Sequence, residues 1–332
     1  MIKDPIVTFV IPVLNSEDIL EDSLVSIRNQ NYPKDNVEII IPDGGSVDCS
    51  IEISKKYKCK IIKNKKILAE PGFMLGAQQA KGELVVYMGA DNRLSDENWI
   101  RNMVKPFSDP QIIGAYSWHK NNPQNTWLTK YFNTFTDPVN HFILGSACNS
   151  LYYYRNYSVL KRTTDYVVYS FNINNFPMLS FDQGFMTRKS YKRPSETEYD
   201  DTLPVLNLIK NNKQLAFVPK ASNYHYTVEK GLPQYVRKMR WIIDNDISRD
   251  PNFGLPTRVK YLSLSRKIKF YLWPIYAASI VGPICYSIVG LLRDRKKEWL
   301  YHAPITIITV GLVLYEIVRL KVFRQKSLAS RQ

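Results

Sequence analysis

The chain has 332 residues, 45% hydrophobic and 23% charged, the balance of a folded protein with room for one large or two ordinary domains. Its formal net charge of +15 suits an anionic partner: nucleic acid, an anionic membrane surface, or a substrate such as a nucleotide diphosphate. Cys49, Cys59, Cys148 and Cys285 form no CxxC pair and no metal-type spacing, which argues against a disulfide framework or structural zinc and for a reducing compartment.

From Ile6 to about Trp118, short apolar runs alternate with helix-period segments, the pattern of βαβ units around a mostly parallel sheet. Ile6 to Leu14 is almost continuously apolar, as in a strand buried on both faces. No charged n-region precedes it, so it does not read as a signal peptide, and the N-terminal domain is expected in the cytoplasm. Asn15 or Ser16 is placed to cap a helix whose apolar stripe includes Ile19, Leu20, Leu24 and Ile27. A second strand, Val37 to Ile41, runs into Pro42-Asp-Gly-Gly-Ser-Val-Asp48, a turn with enough glycine for backbone to approach a ligand. Ser46 is expected to cap the next helix, which runs to about Tyr57. A short strand at Lys60 to Lys63, a helix from Pro71 to Ala80 closed by Gly82, and a fourth strand from Glu83 to Met88 follow. Gly89-Ala-Asp-Asn92 then lies at the carboxyl end of a parallel strand, the edge along which open α/β sheets bind ligands.

Trp118 to Ser180 is rich in Asn, Tyr and Phe, includes Tyr152-Tyr-Tyr154 and lacks a clear period. It reads as an insertion over the sheet edge, whose aromatic faces suit a sugar ring, a prenyl chain or plain core. Regularity returns with Phe181 to Arg188, a helix from Asp200 to about Asn211, a strand Leu215 to Pro219, and a helix from Leu232 to about Asn245. Phe270 to Leu292 is about 23 residues without a charge, and His302 to Val318 carries only Glu316, where a spanning helix takes about 20. Arg266, Lys267 and Lys269 precede the first run, and Arg319, Lys321, Arg324 and Lys326 follow the second, which favours a membrane partner over nucleic acid. The predicted arrangement is a transmembrane hairpin, 270–292 and 300–320, between a basic linker (251–269) and a basic tail (321–332). The loop Arg293-Asp-Arg-Lys-Lys-Glu298 is basic too, which conflicts with placing it outside; two re-entrant or interfacial helices would remove the conflict.

The polar motifs stand in a defined order: Ile11-Pro-Val-Leu-Asn-Ser-Glu17, Pro42 to Asp48, Ala80-Lys-Gly-Glu83 leading into Val85 to Asn92, Asp200-Asp201, Tyr224-His225, and Arg237-Lys-Met-Arg-Trp241. Each has its own chemistry. Asp43, in a Gly-rich turn, can accept from a base N–H or a ribose hydroxyl; Asp48 and Glu17 are equally suited to neutralise helix starts. Asp91 offers a hard oxygen ligand for Mg²⁺ or Mn²⁺, with the Asn92 amide oxygen beside it, or else caps a turn. Asp200 and Asp201 are ordinary dipole partners as well as candidate acids and bases, and a lone His225 is as often structural as functional. Arg237 and Arg240, three apart on one helix face, can reach phosphate oxygens or rest on lipid headgroups.

Together these motifs resemble glycosyltransferase family 2, the inverting enzymes of the GT-A fold, over residues 6–245. The resemblance implies an α/β GT-A nucleotide-sugar-binding domain (1–250, insertion about 118–180) with a mostly parallel central sheet, followed by the C-terminal transmembrane hairpin. It implies donor contacts from Pro12, Val13, Asn15, Glu17, Asp43, Asp91, Arg237, Arg240 and Trp241, with Asp43 on the nucleotide base. Asp91 stands where the family has Asp-x-Asp, here Gly89-Ala90-Asp91, and with His225 it is the expected site of a divalent metal, Mg²⁺ or Mn²⁺. Asp201 is the expected general base and Asp200 an acceptor contact. Arg-x-x-Arg-Trp241 resembles the Gln-x-x-Arg-Trp motif of members that extend polysaccharides. The implied partners are a nucleotide-diphosphate sugar, a lipid-linked or other membrane-associated acceptor and the bilayer, with no nucleic acid, and the implied role is cell-surface glycan assembly. Synthesis of a polyprenyl-phosphate monosaccharide, processive polysaccharide synthesis, and a catalytically silent membrane-bound binding subunit are the alternative readings.

Overall fold

A computed structural model describes residues 4–145, 157–248 and 258–329, without the side chains of 244–248 and 321–329. Tyr152-Tyr-Tyr154, Cys148, most of the linker before Arg258 and the last residues of the tail lie outside the described residues. The chain divides into two units, Met1–Asn122 with Cys148–Tyr226, and Pro123–Ala147 with Thr227–Gln332, so the division runs through the aromatic-rich stretch.

The first unit is built on one sheet. Its strands are β1 (Val7–Val10), β2 (Val37–Asp43), β3 (Lys60–Lys63), β4 (Leu84–Met88), β5 (Asn92–Leu94), β6 (Ile112–His119), β7 (Val159–Arg162), β8 (Val167–Tyr169), β9 (Gln183–Arg188) and β10 (Gln214–His225). They are ordered β3-β2-β1-β4-β9-β6-β10-β8-β7, with β5 paired to β10. Pairing is parallel from β3 to β4; β9 then enters antiparallel to both β4 and β6, making the sheet mixed. Every residue of β1 is buried, in keeping with its almost continuously apolar sequence, and it pairs in register with β2 (Val7 with Val37) and β4 (Val7 with Leu84).

Helices α1 (Glu17–Arg28), α2 (Ser50–Lys56), α3 (Ala69–Gln79) and α4 (Trp99–Val104) connect the strands of this unit. The stripe Leu20, Leu24 and Ile27 of α1 is buried. Helix α3 lies very close to β1: a Cβ on Gly76 would stand 2.2 Å from Val10 Cγ1. We therefore expect Gly76→Ala to destabilise the protein by about 1–3 kcal/mol through overpacking, read as a lower denaturation midpoint. Two sequence expectations change here. The helix after β2 begins at Ser50 rather than after Ser46, and its first amides are served by Glu17 and Asp48 instead of the Ser46 hydroxyl.

The second unit is helical, with α5 (Trp127–Phe135) and α6 (Pro138–Leu144) from the aromatic-rich stretch; α7 (Leu203–Lys210) belongs to the first unit. Then come α8 (Leu232–Ser248), α9 (Leu264–Ala278), α10 (Val281–Asp294) and α11 (His302–Ala329). Its core gathers Leu128, Tyr131 and Phe135 of α5, Tyr235, Met239 and Ile243 of α8, and Trp299 and Ile305. Glu316 of α11 is fully buried, with Arg240 Nε 2.5 Å from one carboxylate oxygen and Arg319 on the other.

Lys297–Leu320 is a helix long and apolar enough to cross a membrane. The run expected as a single first crossing, Phe270 to Leu292, is instead two helices, α9 and α10, that meet at 103°. The break falls at Ser279-Ile280, where Ile280 takes a left-handed φ of 60°. Two straight spans are therefore not what this segment forms.

Candidate active site

Two loops at the carboxyl ends of β1 and β2 clasp each other. The Asn15 amide donates to Ser46 Oγ (3.0 Å) while Val47 N–H donates to Asn15 Oδ1 (2.9 Å). Glu17 N–H donates to Asp48 Oδ2 (3.0 Å), and Cys49 N–H donates to Glu17 Oε2 (2.9 Å), so each acid serves the helix start of the other loop. Asp43 closes its own turn, accepting from Gly45 N–H (3.0 Å) and Ser46 N–H (3.1 Å). A carboxylate has about four lone-pair sites, so Asp43 keeps capacity for a ligand donor. Val13 bridges to Asp43, and buried Pro12 is overlain by Gly72, where a Cβ would meet the Pro12 ring at 3.0 Å.

Beyond β4, sheet register brings together two residues far apart in sequence. Strand β5 pairs antiparallel with β10, His225 opposite Asn92, and Tyr226 N–H donates to the Asp91 carbonyl (2.9 Å). His225 Nε2 consequently stands 3.2 Å from Asp91 Oδ2. A buried relay fixes the other carboxylate oxygen: Ser117 Oγ donates to Asn223 Oδ1 (2.6 Å), Asn223 Nδ2 to Asn92 Oδ1 (2.7 Å), and Asn92 Nδ2 to Asp91 Oδ1 (3.0 Å). The Asn92 amide oxygen is thus spent inside the sheet rather than offered to a ligand. At Gly89, a Cβ would lie 2.7 Å from Asp91 Oδ1, so a larger side chain there would press on that carboxylate. The His119 ring lies 4.8 Å from that of His225, and burial, then the neighbouring imidazole, holds His119 well below its usual pKa and hence neutral at pH 7.

Beside this pair lie the expected Asp200 and Asp201 together with two acids that sequence reading passed over, Asp182 and Glu70. Asp182 stands just before β9, and its carbonyl accepts from Gly89 N–H (2.9 Å). Its buried Oδ1 has no hydrogen-bond partner among the described residues. Burial, followed by the charges of Asp201, Asp91 and Glu70, drives the Asp182 carboxyl well above its ordinary range. Asp201 accepts from Phe181 N–H through its carbonyl (2.8 Å) and from Thr202 Oγ1 through its carboxylate (3.3 Å). Asp200 is buried, its Oδ1 accepting from the amides of Thr202 and Leu203, both at 2.7 Å. Helix α7 starts at Leu203, not at Asp200 as expected, because Asp200 acts as the acid ahead of the first turn. Arg193 Nη2 braces the same loop, donating to the carbonyls of Thr197 and Asp200, both at 2.5 Å.

Glu70, in the first turn of α3, is raised to about 6, chiefly by burial and secondarily by Asp201 and Asp200. Because the folded state holds this proton more tightly, its contribution to stability falls as pH rises from about 4.5 through 6, by roughly 2 kcal/mol in total. Glu70→Gln should flatten that slope and leave the variant more stable than the parent at pH 7, as read by urea unfolding across pH.

The remaining expected donor contacts stand on α8 of the second unit. Arg237 and Trp241 are exposed there, and Arg240 is engaged with Glu316. Cys49, Cys59 and Cys285 are free thiols.

Comparison with known proteins accords with this architecture. A family model described as glycosyl transferase family 2 matches residues 8–181. A Methanococcus voltae protein named dolichyl N-acetyl-alpha-D-glucosaminyl phosphate 3-beta-D-2,3-diacetamido-2,3-dideoxy-beta-D-glucuronosyltransferase is 23% identical over 317 residues, covering 90% of both chains. The poly(ribitol-phosphate) beta-glucosyltransferase of Bacillus spizizenii is 34% identical over 102 residues, 29% of this chain and 16% of that protein. The minor teichoic acid biosynthesis protein GgaA of Bacillus subtilis is 25% identical over 214 residues, 58% of this chain and 46% of that protein. The chain thus spans less than half the length of these two Bacillus relatives. Mannosyltransferase PcManGT from Pyrobaculum calidifontis, solved with GDP-Man and Mn²⁺, shares the fold at a TM-score of 0.55 and 14% identity, covering 95% of this chain and 88% of that one. With the family match over more than half its length and a GT-A architecture around the clasped loops and Asp91, this chain belongs to glycosyltransferase family 2.

Proposed function

We propose that the protein moves a sugar from a nucleoside-diphosphate donor, with inversion, onto a lipid-linked acceptor at the cytoplasmic face of a membrane, in cell-surface glycan assembly. The observation that carries this reading is the pairing of Asp91 with His225 at the carboxyl end of β4, next to the clasped loops. Their facing atoms are 3.2 Å apart, near the ~3 Å edge of an octahedron with metal–ligand bonds of about 2.1 Å. The donor set therefore suits a divalent ion. No third His, Cys, Asp or Glu joins them among the described residues, so Asp91 and His225 are the side chains that would hold such an ion. Mg²⁺ or Mn²⁺, when bound, would offset charge on the departing diphosphate.

The chain's own residues divide the remaining work. Asp43 accepts from the nucleotide base or ribose, and Asn15 with Val13 and Pro12 sets the rim around it. Arg240 braces Glu316 within the helical unit. Asp201 takes the proton of the acceptor hydroxyl as the new C–O bond forms at the anomeric carbon and the bond to the diphosphate oxygen breaks. Burial of Asp182 favours its protonated form, which limits the negative charge it adds to this basin.

The Methanococcus voltae relative's name specifies a 3-beta linkage to a dolichyl-phosphate-linked sugar. That supports a sugar hydroxyl as the acceptor here, a group that needs a base, over a lipid phosphate, which does not. The test is to incubate full-length protein in native membranes with radiolabelled UDP- and GDP-sugars and Mn²⁺ or Mg²⁺. Label from one donor should enter the organic-solvent extract with stoichiometric nucleoside diphosphate. Diphosphate release without lipid label would remove the lipid-linked acceptor, and no release from any donor would remove the donor assignment.

A further inference from the structure

We infer that the helical unit is a monotopic wedge, seated in one leaflet of an anionic bilayer with none of its helices crossing. This rests on the membrane-associated reading above and specifies its form. The first observation is the α9–α10 bend. The arms have 15 and 14 residues, about 21–23 Å each at 1.5 Å per residue, and they turn through 103°. Set symmetrically about the membrane normal, such a V reaches only ~17 Å deep, about half of a ~30 Å hydrocarbon core. Its surface is apolar: Tyr271, Ile275, Ile280, Val281, Val289 and Leu292 are each more than half exposed. Side chains of this kind in water are an unpartnered face, and lipid is the partner whose chemistry covers it.

The second observation concerns α11, the helix long enough to cross. It runs alongside α8, with Tyr235 hydroxyl on Thr309 Oγ1 and, further along both helices, Arg240 on Glu316. Helix α8 carries Arg237 and Arg240 exposed to its surroundings. A perpendicular crossing by α11 would draw those charges into hydrocarbon, whereas an in-plane course leaves them at headgroup level. The third is charge. Exposed Lys269 lies near the mouth of one arm, and exposed Arg293, Arg295, Lys296 and Lys297 lie at the mouth of the other. A wedge places both groups against the same anionic surface, which also removes the conflict a spanning hairpin has over the Arg293–Glu298 loop.

The test uses full-length protein with Cys49, Cys59, Cys148 and Cys285 changed to Ser, in sealed inverted vesicles of phosphatidylethanolamine and phosphatidylglycerol. Lys269→Cys, Lys296→Cys and Lys326→Cys should all react with a membrane-impermeant maleimide from one and the same face. A fluorophore on Val281→Cys should be quenched by lipids brominated deep in the acyl chain and spared by aqueous iodide. Labelling of any two positions from opposite faces, or iodide quenching at Val281→Cys, overturns the wedge. Protein that fails to float with the vesicles overturns the membrane reading itself, so the two failures are distinguishable.

Discussion

Replacing Asp91 by alanine should lower sugar transfer by roughly 10³-fold, the scale of losing a group that stabilises developing charge in a water-poor site. Three features make the effect large. Asp91 is the carboxylate within reach of His225; position 89, where the family has a second acid, is glycine; and the Ser117–Asn223–Asn92 relay exists to orient this one group. Asp91→Asn keeps the shape but not the charge and should lose nearly as much. Nucleoside diphosphate release at saturating donor measures the rate, and loss of free Mn²⁺ signal in electron paramagnetic resonance measures ion binding without turnover. A loss below tenfold in rate, with Mn²⁺ binding intact, would move the metal elsewhere.

The second large effect is expected at Asp201. Asp201→Asn should cut turnover by about 10²–10⁴, the usual worth of a positioned general base, while leaving donor affinity unchanged. The split is the diagnostic: a group that only shaped the loop before α7 would weaken donor and acceptor binding together. Asp200→Asn is a useful contrast, since that carboxylate accepts from the Thr202 and Leu203 amides; its loss should lower unfolding stability first and rate second.

The parts of this fold legible in sequence were those under the simplest physical constraint. Strands buried on both faces are mostly apolar, and β1, β4 and the Ile39–Ile41 stretch of β2 announce themselves that way. Asp91 and His225 were each legible as motif residues, but their meeting depends on the antiparallel register of β5 on β10, which no local pattern encodes. Asp182, next to Gln183 ahead of β9, and Glu70, in the first turn of α3, occupy positions where an acid carries no local signature of a site. Hydropathy found the apolar stretch 270–292 but carries no direction, so it could not register the turn at Ile280. In Arg-x-x-Arg-Trp241 the spacing was legible, but the bond from Arg240 to Glu316, 76 positions downstream, was not.

The reciprocal bonds between Glu17 and Cys49 and between Asp48 and Glu17 mean that neither nucleotide-side loop can open without uncapping the helix of the other. An incoming donor accordingly finds a rim already set, and little of its binding energy goes into ordering that rim. With Asp43 on the nucleotide base, as proposed above, choice between a pyrimidine and a purine would fall to the fixed edge around it. Exchanging base preference by mutation would require redrawing that edge, because lengthening or loosening either loop alone would release a helix end before it widened the seat.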